Sequence, residues 1–397
     1  MGLIISTPGV ILPHLEAHYH LSDVRASLVF VVVPFGYLIG ARLNNPFHRH
    51  LGRRGIALVA LLCQMIFTGT AAGFHSPRPG GFLLFLAATV IGNVGTGLLD
   101  GSWCAWAAGL GGTRTNTMQG LLHGSFSTGA GWGPFLAASM FSVREMSWWT
   151  WYYVLLGAVV SQGLVTCLAF RRDDGKRYRV ELEAVKRNEV AAPLALHQGE
   201  SESVFAYAGV WTCAAYFLAY VGTEAAISGW IVTFMLRARH ATPYLASLSS
   251  SGFWVGMAAG RFVLGFLTDK LGVRTATSAY LVIAILAQIL GLAIRTSEVT
   301  MVIVTVVGFF LGPIFPSGIV AIAQILPRGR HVEAVSFVCS VGQVGAALLP
   351  FALGSLSQWL GIRVFEPFVL ATLTMALLCW RWFPANAAAT SPHVSTA

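Results

Sequence analysis

Charged residues are scarce in this sequence. They make up 10% of its 397 residues, whereas 55% are hydrophobic and the mean hydropathy is +0.69. Soluble globular domains carry roughly 25% charged residues, so this composition excludes an ordinary cytosolic enzyme, and it is too apolar for a disordered chain. Acidic residues number only 16, and just two of them, Asp100 and Glu224, lie well inside hydrophobic segments long enough to cross a bilayer.

Signatures of several kinds of chemistry are missing. The sequence has no Walker-type phosphate loop, which argues against ATP-driven pumping, and no HExxH motif, paired metal ligands or nucleophile elbow. We therefore predict no enzymatic activity, no cofactor and no metal. The six cysteines lack CxxC spacing, so we interpret them as packing residues. The net charge of +9 does not indicate nucleic acid, because the basic residues lie in short segments between apolar runs.

Twelve hydrophobic runs predict an all-α integral membrane protein. Eleven approach the roughly 20 residues that a membrane-spanning helix needs. Their centres lie at 30–39, 56–73, 82–97, 120–138, 151–170, 207–235, 252–267, 276–293, 302–325, 335–356 and 368–382. The first run, Leu3–Pro13, is too short to cross a hydrocarbon core of roughly 30 Å. We expect either a half-span or a truncated first helix, and we favour truncation.

The basic residues indicate an orientation. If both termini are cytoplasmic, 18 of the 25 Lys and Arg residues, with Arg261 counted among them, fall on the cytoplasmic side, as the positive-inside rule requires. The only long polar stretch would then be a cytoplasmic linker. This predicts an N-terminal six-helix bundle at 1–170, a linker at 171–205, a C-terminal six-helix bundle at 206–384 and a cytoplasmic tail at 385–397.

The two halves of the sequence repeat each other. At an offset of 220 residues, Gly36, Gly40, Leu51, Gly52 and Arg54 match Gly256, Gly260, Leu271, Gly272 and Arg274. At an offset of 216 residues, Gly92, Gly129, Ala130 and Pro134 match Gly308, Gly345, Ala346 and Pro350. Six-span halves repeated in the same orientation indicate a transporter architecture with its substrate between the halves.

Two short loops occupy equivalent positions in the repeat. The second, Gly265-Phe266-Leu267-Thr268-Asp269-Lys270-Leu271-Gly272-Val273-Arg274, resembles the loop signature of the major facilitator superfamily. The first keeps Gly52-Arg53-Arg54 but has Asn44 and Asn45 where an acid is common. The resemblance implies gating loops on the cytoplasmic side, formed by Gly52, Arg53, Arg54, Gly265, Asp269, Lys270, Gly272 and Arg274. Simple topogenic charge is the alternative, but it leaves the repeated Gly-Xaa-Arg unexplained.

Further segments resemble one branch of that superfamily, which contains fucose–proton symporters, sodium-dependent glucose transporters and fungal relatives. The segments are Gly9 to Leu15, Gly97 to Gly101, Leu121 to Gly124, Gly129 to Pro134, Tyr220 to Glu224, Gly229 to Thr233 and Gly312 to Pro316. The resemblance covers nearly the whole chain. It implies twelve transmembrane helices in two pseudo-symmetric six-helix bundles.

Asp100 is the leading candidate for a coupling residue. The branch commonly carries an acid in the fourth span, and a carboxylate in hydrocarbon is costly unless it has a function. The functional hypothesis is a proton-exchanging carboxylate, and the alternative is an acid that bonds to neighbouring backbone or to Ser102. Cys104 stands where relatives often have Asn, which weakens the case for a sugar.

The other candidates lie in spans of both halves. Glu224 resembles the seventh-span acid of the branch, with a structural hydrogen bond as an equal alternative. His123 could relay a proton or bind a polar solute, or be a packing residue. Trp103, Trp106 and Trp230 lie close in sequence to the two acids and could stack on the apolar face of a sugar.

These observations predict a secondary active transporter. We expect symport of a small polar solute such as a sugar, by alternating access, with a proton or sodium as the coupling ion. Efflux of a metabolite or drug is the alternative, and a non-transporting membrane nutrient sensor is a hypothesis of another class. The expected partners are the solute, the coupling ion and the lipid bilayer, without nucleic acid. We expect a monomer, in the plasma membrane rather than a vacuolar or other internal membrane.

Overall fold

The computed structural model describes residues 1–74, 76–77, 79–111, 115–180, 183, 203–326 and 331–383. The secondary structure of these residues is helical, and they contain no strand. Most of the predicted linker and the whole predicted tail lie outside the described residues.

Twelve helices have twelve or more residues within this part of the chain. Their bounds are α1 Gly2–Tyr19, α2 Leu28–Gly73, α3 Pro79–Gly111, α4 Thr115–Ala138, α5 Thr150–Ala169, α6 Ala208–Ala238, α7 Pro243–Leu271, α8 Val273–Ala293, α9 Ser297–Leu311, α10 Ile314–Ile325, α11 His331–Leu360 and α12 Phe365–Trp382. Shorter turns occur at Asp23–Ala26, Ser139–Val143, Val204–Ala206 and Ile362–Val364.

The helices account for twelve spans if α2 is counted as two spans and α9 and α10 are counted together as one. The backbone of Gly52 inside α2 is non-helical, with φ 69° and ψ −174°, so α2 is two spans joined at a kink. In contrast, α9 and α10 are the two parts of one broken span. Among the described residues, eight helical segments are long and apolar enough to cross a membrane. The protein is an integral, multi-pass membrane protein, as the hydrophobic runs predict.

The first helix is longer than its apolar run. It has 18 residues, which corresponds to about 27 Å of helix. The run Leu3–Pro13 ends six residues before the helix does, because the last turns contain the polar residues Glu16 and His18. Hydropathy alone therefore underestimates the length of α1.

The chain forms two compact units. The first unit contains residues 1–31, 123–145 and 201–397. Within it, α1 packs against α6, α6 packs against α11, and α7 packs against α9. The second unit contains residues 32–122 and 146–200. In that unit, the ring of Phe67 contacts Phe85 and Tyr152, and Gln64 Nε2 donates a hydrogen bond to Thr96 Oγ1 at 3.3 Å.

The sequence repeat has a structural counterpart in each unit. Four glycines that match in the sequence pack against a backbone carbonyl of a neighbouring helix, so closely that a Cβ atom would collide with it. The pairs are Gly36 with Val90 and Gly40 with Val94 in the second unit, and Gly256 with Thr305 and Gly260 with Phe309 in the first. Small residues permit this close helix packing in membranes.

The tenth span is interrupted. The apolar run over 302–325 indicated one continuous helix, but α9 ends at Leu311 and α10 begins at Ile314. Pro313 and Pro316 have no backbone N–H, so the carbonyl groups of Phe309 and Gly312 lose the donors that a continuous helix would give them. The backbone of Gly312 itself stays in the helical region, with φ −50° and ψ −53°. The interruption leaves carbonyl groups near Gly312 without their usual helical partners.

Candidate functional site

Glu224 is the central acid of the first unit. It is the seventeenth of the 31 residues of α6, and its side chain is partly buried. The hydroxyl oxygen of Tyr220, one turn earlier, lies 2.7 Å from Glu224 Oε2 and 3.2 Å from the carbonyl oxygen of Leu311. Tyr220 therefore connects Glu224 to the interruption of the tenth span.

Arg261 approaches the same interruption from α7. Its Nε donates to the carbonyl oxygen of Gly312 at 3.3 Å, and its Nη1 donates to the carbonyl oxygen of His123 at 3.4 Å and to Ser127 Oγ. Ten residues, or about 15 Å of helix, separate Arg261 from the end of α7. Arg261 therefore lies inside α7, whereas the charge count placed it in a loop.

Side chains donate hydrogen bonds to the carbonyl groups at the interruption. The hydroxyl of Tyr216 donates to the carbonyl oxygen of Ile314 at 3.0 Å, in addition to the bonds from Tyr220 to Leu311 and from Arg261 to Gly312. Buried carbonyl groups need such partners, and irregular backbone at membrane depth is tolerated where they exist. The interruption is thus an ordered feature of the first unit.

His123 lies on α4 beside this group. Its carbonyl oxygen accepts hydrogen bonds from Arg261 and, at 3.0 Å, from Ser127 Oγ. The centroid of its ring lies 6.2 Å from that of Phe315 on α10. The structure brings Glu224, Arg261 and His123 to one place in the first unit, although the proton-relay role of the imidazole stays a prediction.

Asp100 belongs to the second unit, in the third quarter of α3. The hydroxyl of Tyr37 donates to Asp100 Oδ2 at 2.5 Å, and Cys104 Sγ lies 3.8 Å from Oδ1. The sequence analysis offered Ser102 as a structural partner of Asp100. The hydroxyl oxygen of Ser102 instead lies 3.0 Å from the imidazole Nε2 of His48. The contacts of Asp100 are therefore with a phenol and a thiol.

The three candidate tryptophans have different surroundings. Trp103 stacks on Phe170, with ring centroids 4.6 Å apart, and Trp106 meets the same ring edge-on at 5.3 Å. Trp106 also lines a cavity of about 490 Å³ with Phe170 and the arginines at 171, 172 and 177. Trp230 is fully buried and donates to the carbonyl oxygen of Pro350 at 3.0 Å. A stacking role for these rings stays a prediction.

The first predicted gating loop is tied to the segment that follows α5. Arg53 forms an ion pair with Asp173 at 3.2 Å, and Arg54 donates to the carbonyl oxygen of Arg171 at 3.4 Å. A Cβ atom on Gly52 would collide with the backbone of residues 173 and 174. Glycine is needed here both for its positive φ and for this close approach.

The second predicted gating loop repeats part of this arrangement. Gly272 has a φ of 78°, and Arg274 donates to the carbonyl oxygens of Phe383 at 2.8 Å and Arg381 at 3.2 Å. Asp269 and Lys270 are exposed, and Gly265 is partly buried. Arg54 and Arg274 thus each donate to backbone carbonyl groups at the end of the last span of their own half. The gating role of the two loops stays a prediction.

A cluster of charges lies where α1 ends. Arg237 on α6 donates to Glu16 Oε2 at 2.5 Å and to Asp23 Oδ1 at 2.8 Å. Ser357 on α11 donates to Asp23 Oδ2 at 2.7 Å. All four residues belong to the first unit.

Sequence reasoning missed several of these partners. Tyr220 stands four residues before Glu224, a spacing that puts both on one helix face and could have indicated their contact. Arg261 follows Gly260 in an apolar stretch, which could have indicated a position inside a helix, but it was counted with the charges of the loops. Nothing in the sequence relates Tyr37 to Asp100, which are 63 residues apart. In the described part of the chain, no group of three His, Cys, Asp or Glu side chains could hold a metal ion.

Comparison with known proteins identifies the family. The family model described as Major Facilitator Superfamily matches residues 1–220 and 212–396. The chain belongs to the Major Facilitator Superfamily. Proteins of this superfamily are transporters and not enzymes, which confirms the non-enzymatic prediction as well as the resemblance drawn from the loops.

Relatives and solved structures agree with this membership. The major facilitator chain is similar to Bypass of stop codon protein 6 of Saccharomyces cerevisiae, with 25% identity over 403 residues that cover 96% of this chain and 80% of the yeast protein. Its fold is that of a D-xylose–proton symporter, with a TM-score of 0.69, 16% identity and coverage of 96% and 95% of the two chains. The E. coli fucose–proton symporter gives a TM-score of 0.62, 15% identity and coverage of 97% of each chain.

Proposed function

We propose that this protein is a secondary active transporter that moves a small polar solute, such as a sugar, with a proton as the coupling ion. It would act by alternating access, as a monomer in the plasma membrane. The loops around Gly52 and Gly272 would gate the cytoplasmic side. The names of two proteins that share its fold, symporters of xylose and of fucose with protons, support the choice of solute and ion.

One observation carries the proposal. Glu224, an acid in the middle of a membrane helix, meets Tyr220 and the interrupted tenth span, with Arg261 near by. Intramembrane carboxylates mark substrate and proton pathways, and interrupted helices form solute sites at the membrane midplane. Asp100 with Tyr37 supplies a second such acid in the other unit. Two acids whose partners are hydroxyl groups, rather than cations in contact, suit reversible proton exchange.

Flux measurements on purified protein in liposomes test the proposal. With an imposed pH gradient, we expect a radiolabelled solute from a hexose panel to accumulate, and the accumulation to collapse with a protonophore. Asp100→Asn and Glu224→Gln should abolish accumulation but retain solute exchange, because the binding geometry persists without the exchangeable charge. Glu298→Gln, at an exposed acid, is the matched control.

Each alternative gives a different result. Uphill movement in the direction opposite to proton flow indicates efflux. Solute binding without any flux indicates a sensor. Gradient-driven accumulation that survives Asp100→Asn removes Asp100 from the coupling mechanism, and survival in the Glu224→Gln variant does the same for Glu224. Absence of gradient-driven movement of every tested solute contradicts the proposal.

A further inference from the structure

Resting on the proposed function, we infer that Arg261 binds a negatively charged oxygen group of the transported solute, and that Glu224 takes up a proton when this anion binds. The solute would then be a phosphorylated or carboxylated small molecule, not a neutral sugar. The inference names a substrate class and assigns Arg261 as its specificity-determining residue.

The hydrogen bonds of Arg261 leave part of its donor capacity unused. A guanidinium group has five N–H donors in a planar fork. Nε uses one on Gly312, and Nη1 uses two on His123 and Ser127. Among the described residues, the two donors of Nη2 have no acceptor. Two donors on one planar group are suited to the oxygens of a phosphate or a carboxylate.

The charge of Arg261 is also not neutralised by direct contact. Its three acceptors are uncharged, and no carboxylate in the described part of the chain forms an ion pair with it. Glu224 is bonded to the hydroxyl of Tyr220, which also bonds to the carbonyl oxygen of Leu311, the residue before the Gly312 that Arg261 contacts. A cation inside a membrane protein ordinarily pairs with another charge or marks a substrate pathway. An anionic solute would supply the missing contact.

The two charges link the proton to the anion. When Glu224 is ionised, it and Arg261 together have no net charge, so an anion gains little electrostatic energy beside them. When Glu224 is protonated, the pair carries one positive charge and attracts an anion. By thermodynamic linkage, binding of the anion must favour protonation of Glu224 to the same extent. The arrangement therefore couples a proton to an anionic solute.

Few other groups can titrate near this pair. Glu224 is the only acid of α6, and the acid of α7, Asp269, lies eight residues beyond Arg261. The segment 299–326, which contains the interruption, has no charged residue. The hydrogen bonds and ring contacts of the described residues place three other titratable groups at the site, Tyr216 and Tyr220 on α6 and His123 on α4. Among these groups and Glu224, only Glu224 can become a negative charge near neutral pH.

Matched hexoses test the inference on the purified full chain. Glucose is neutral, glucuronate carries a carboxylate, and glucose 6-phosphate carries a phosphate. We expect one or both of the anions, but not glucose, to bind in calorimetry and to bind more tightly at pH 5.5 than at pH 7.5, with the two anion arms separating carboxylate from phosphate. Arg261→Gln should weaken anion binding by about tenfold or more, as loss of charged hydrogen bonds predicts. Arg363→Gln, at an exposed arginine, should not.

The glutamate variant isolates the proton linkage. Glu224→Gln keeps the site permanently without its negative charge, so glucuronate, whose own charge is constant over this range, should bind at both pH values with nearly equal affinity. If Arg261→Gln fails to fold, the wild-type protein still tests the inference. An affinity for glucose that equals or exceeds the affinities for both anions overturns it. Unchanged anion affinity in a folded Arg261→Gln protein also overturns it, because Arg261 then only holds the interruption together.

Failure of the inference and failure of the proposed function are distinguishable. Proton-driven uptake of glucose that survives Arg261→Gln leaves the transporter proposal intact and removes the anion site. Anion binding that depends on Arg261, without gradient-driven flux of any solute, supports the site and contradicts the transporter proposal.

Discussion

Arg237 and Glu16 form an ion pair that joins the ends of α6 and α1. The side chain of Glu16 is 5% exposed, whereas that of Arg237 is 42% exposed. Glu16 Oε1 is buried and has no hydrogen-bond partner among the described residues. Arg237 has a second acid, Asp23, at 2.8 Å. Loss of Arg237 therefore leaves the buried Glu16 without its cation, whereas loss of Glu16 leaves Arg237 with Asp23 and solvent.

This inequality predicts different costs for the two substitutions. Arg237→Gln leaves the Glu16 carboxylate buried without a cation, and removal of one partner from a buried pair costs about 3 kcal/mol. Glu16→Gln leaves Arg237 with Asp23 and solvent, so we expect a loss of about 1 kcal/mol. Thermal unfolding followed by tryptophan fluorescence measures both. A Glu16→Gln protein that melts at or below the temperature of Arg237→Gln contradicts this interpretation.

Tyrosine substitutions separate the site from simple helix packing. Tyr220→Phe leaves both Glu224 Oε2 and the carbonyl of Leu311 without the hydroxyl donor, so we expect lower stability, by about 1–3 kcal/mol, and slower proton-driven flux. Tyr216→Phe removes only the bond to the carbonyl of Ile314 and serves as the matched control. It should lower the melting temperature while the flux per folded molecule stays unchanged. Equal flux in the two variants would show that the contact with Glu224 has no functional role.

Two glycines at the predicted gating loops should differ in their tolerance of alanine. Both have positive φ angles, and such backbone strain costs of order 1–3 kcal/mol in a residue with a side chain. The Cβ atom of Gly52→Ala would in addition meet the backbone of residues 173 and 174, whereas that of Gly272→Ala would meet nothing within 4 Å. We expect the lower melting temperature for Gly52→Ala. Gly69→Ala, in an open helical position, is the control and should be neutral or slightly stabilising.

A buried and an exposed ion pair allow a further comparison. Arg239 and Glu366 lie 2.5 Å apart with side chains that are 6% and 9% exposed, while the side chain of Arg177, 3.3 Å from Asp173, is 57% exposed. We expect Arg239→Gln to cost about 3–5 kcal/mol, because it strands a buried carboxylate. Arg177→Gln should change stability by about 1 kcal/mol or less. The melting temperatures of the two variants measure this, and similar values would contradict the assigned burial.

The sequence was a good guide to the spans and to the repeat. Long apolar runs can satisfy their backbone only as helices in a membrane, so helix type and number follow from hydropathy. Equivalent glycines, such as Gly40 and Gly260, point to equivalent close approaches because only a residue without a side chain fits there. Gly52 and Gly272 lie in the two loops that the sequence repeat predicts, and both have the positive φ angles that glycine tolerates.

Other features depend on contacts between distant residues and could not be read from the pattern. Hydropathy treats Arg261 as one more charge, so its position inside a helix emerged only from the bounds of α7. The partner of Asp100 is a tyrosine on another helix, and no spacing rule relates them. Polar last turns extended α1 beyond its apolar run. Pro313 was visible, but prolines also occur inside α1, α2 and α4, so a proline alone does not predict an interruption.

The interruption between α9 and α10 gives the tenth span a joint. Two of its carbonyl oxygens are held by Tyr220 and Arg261, the same side chains that meet or face Glu224. A bound solute that draws the guanidinium group of Arg261 toward itself would weaken the hydrogen bond from Arg261 to the carbonyl oxygen of Gly312. With the inferred anion site, solute binding would therefore release one restraint on this helix, and the protein without solute would have the stiffer tenth span.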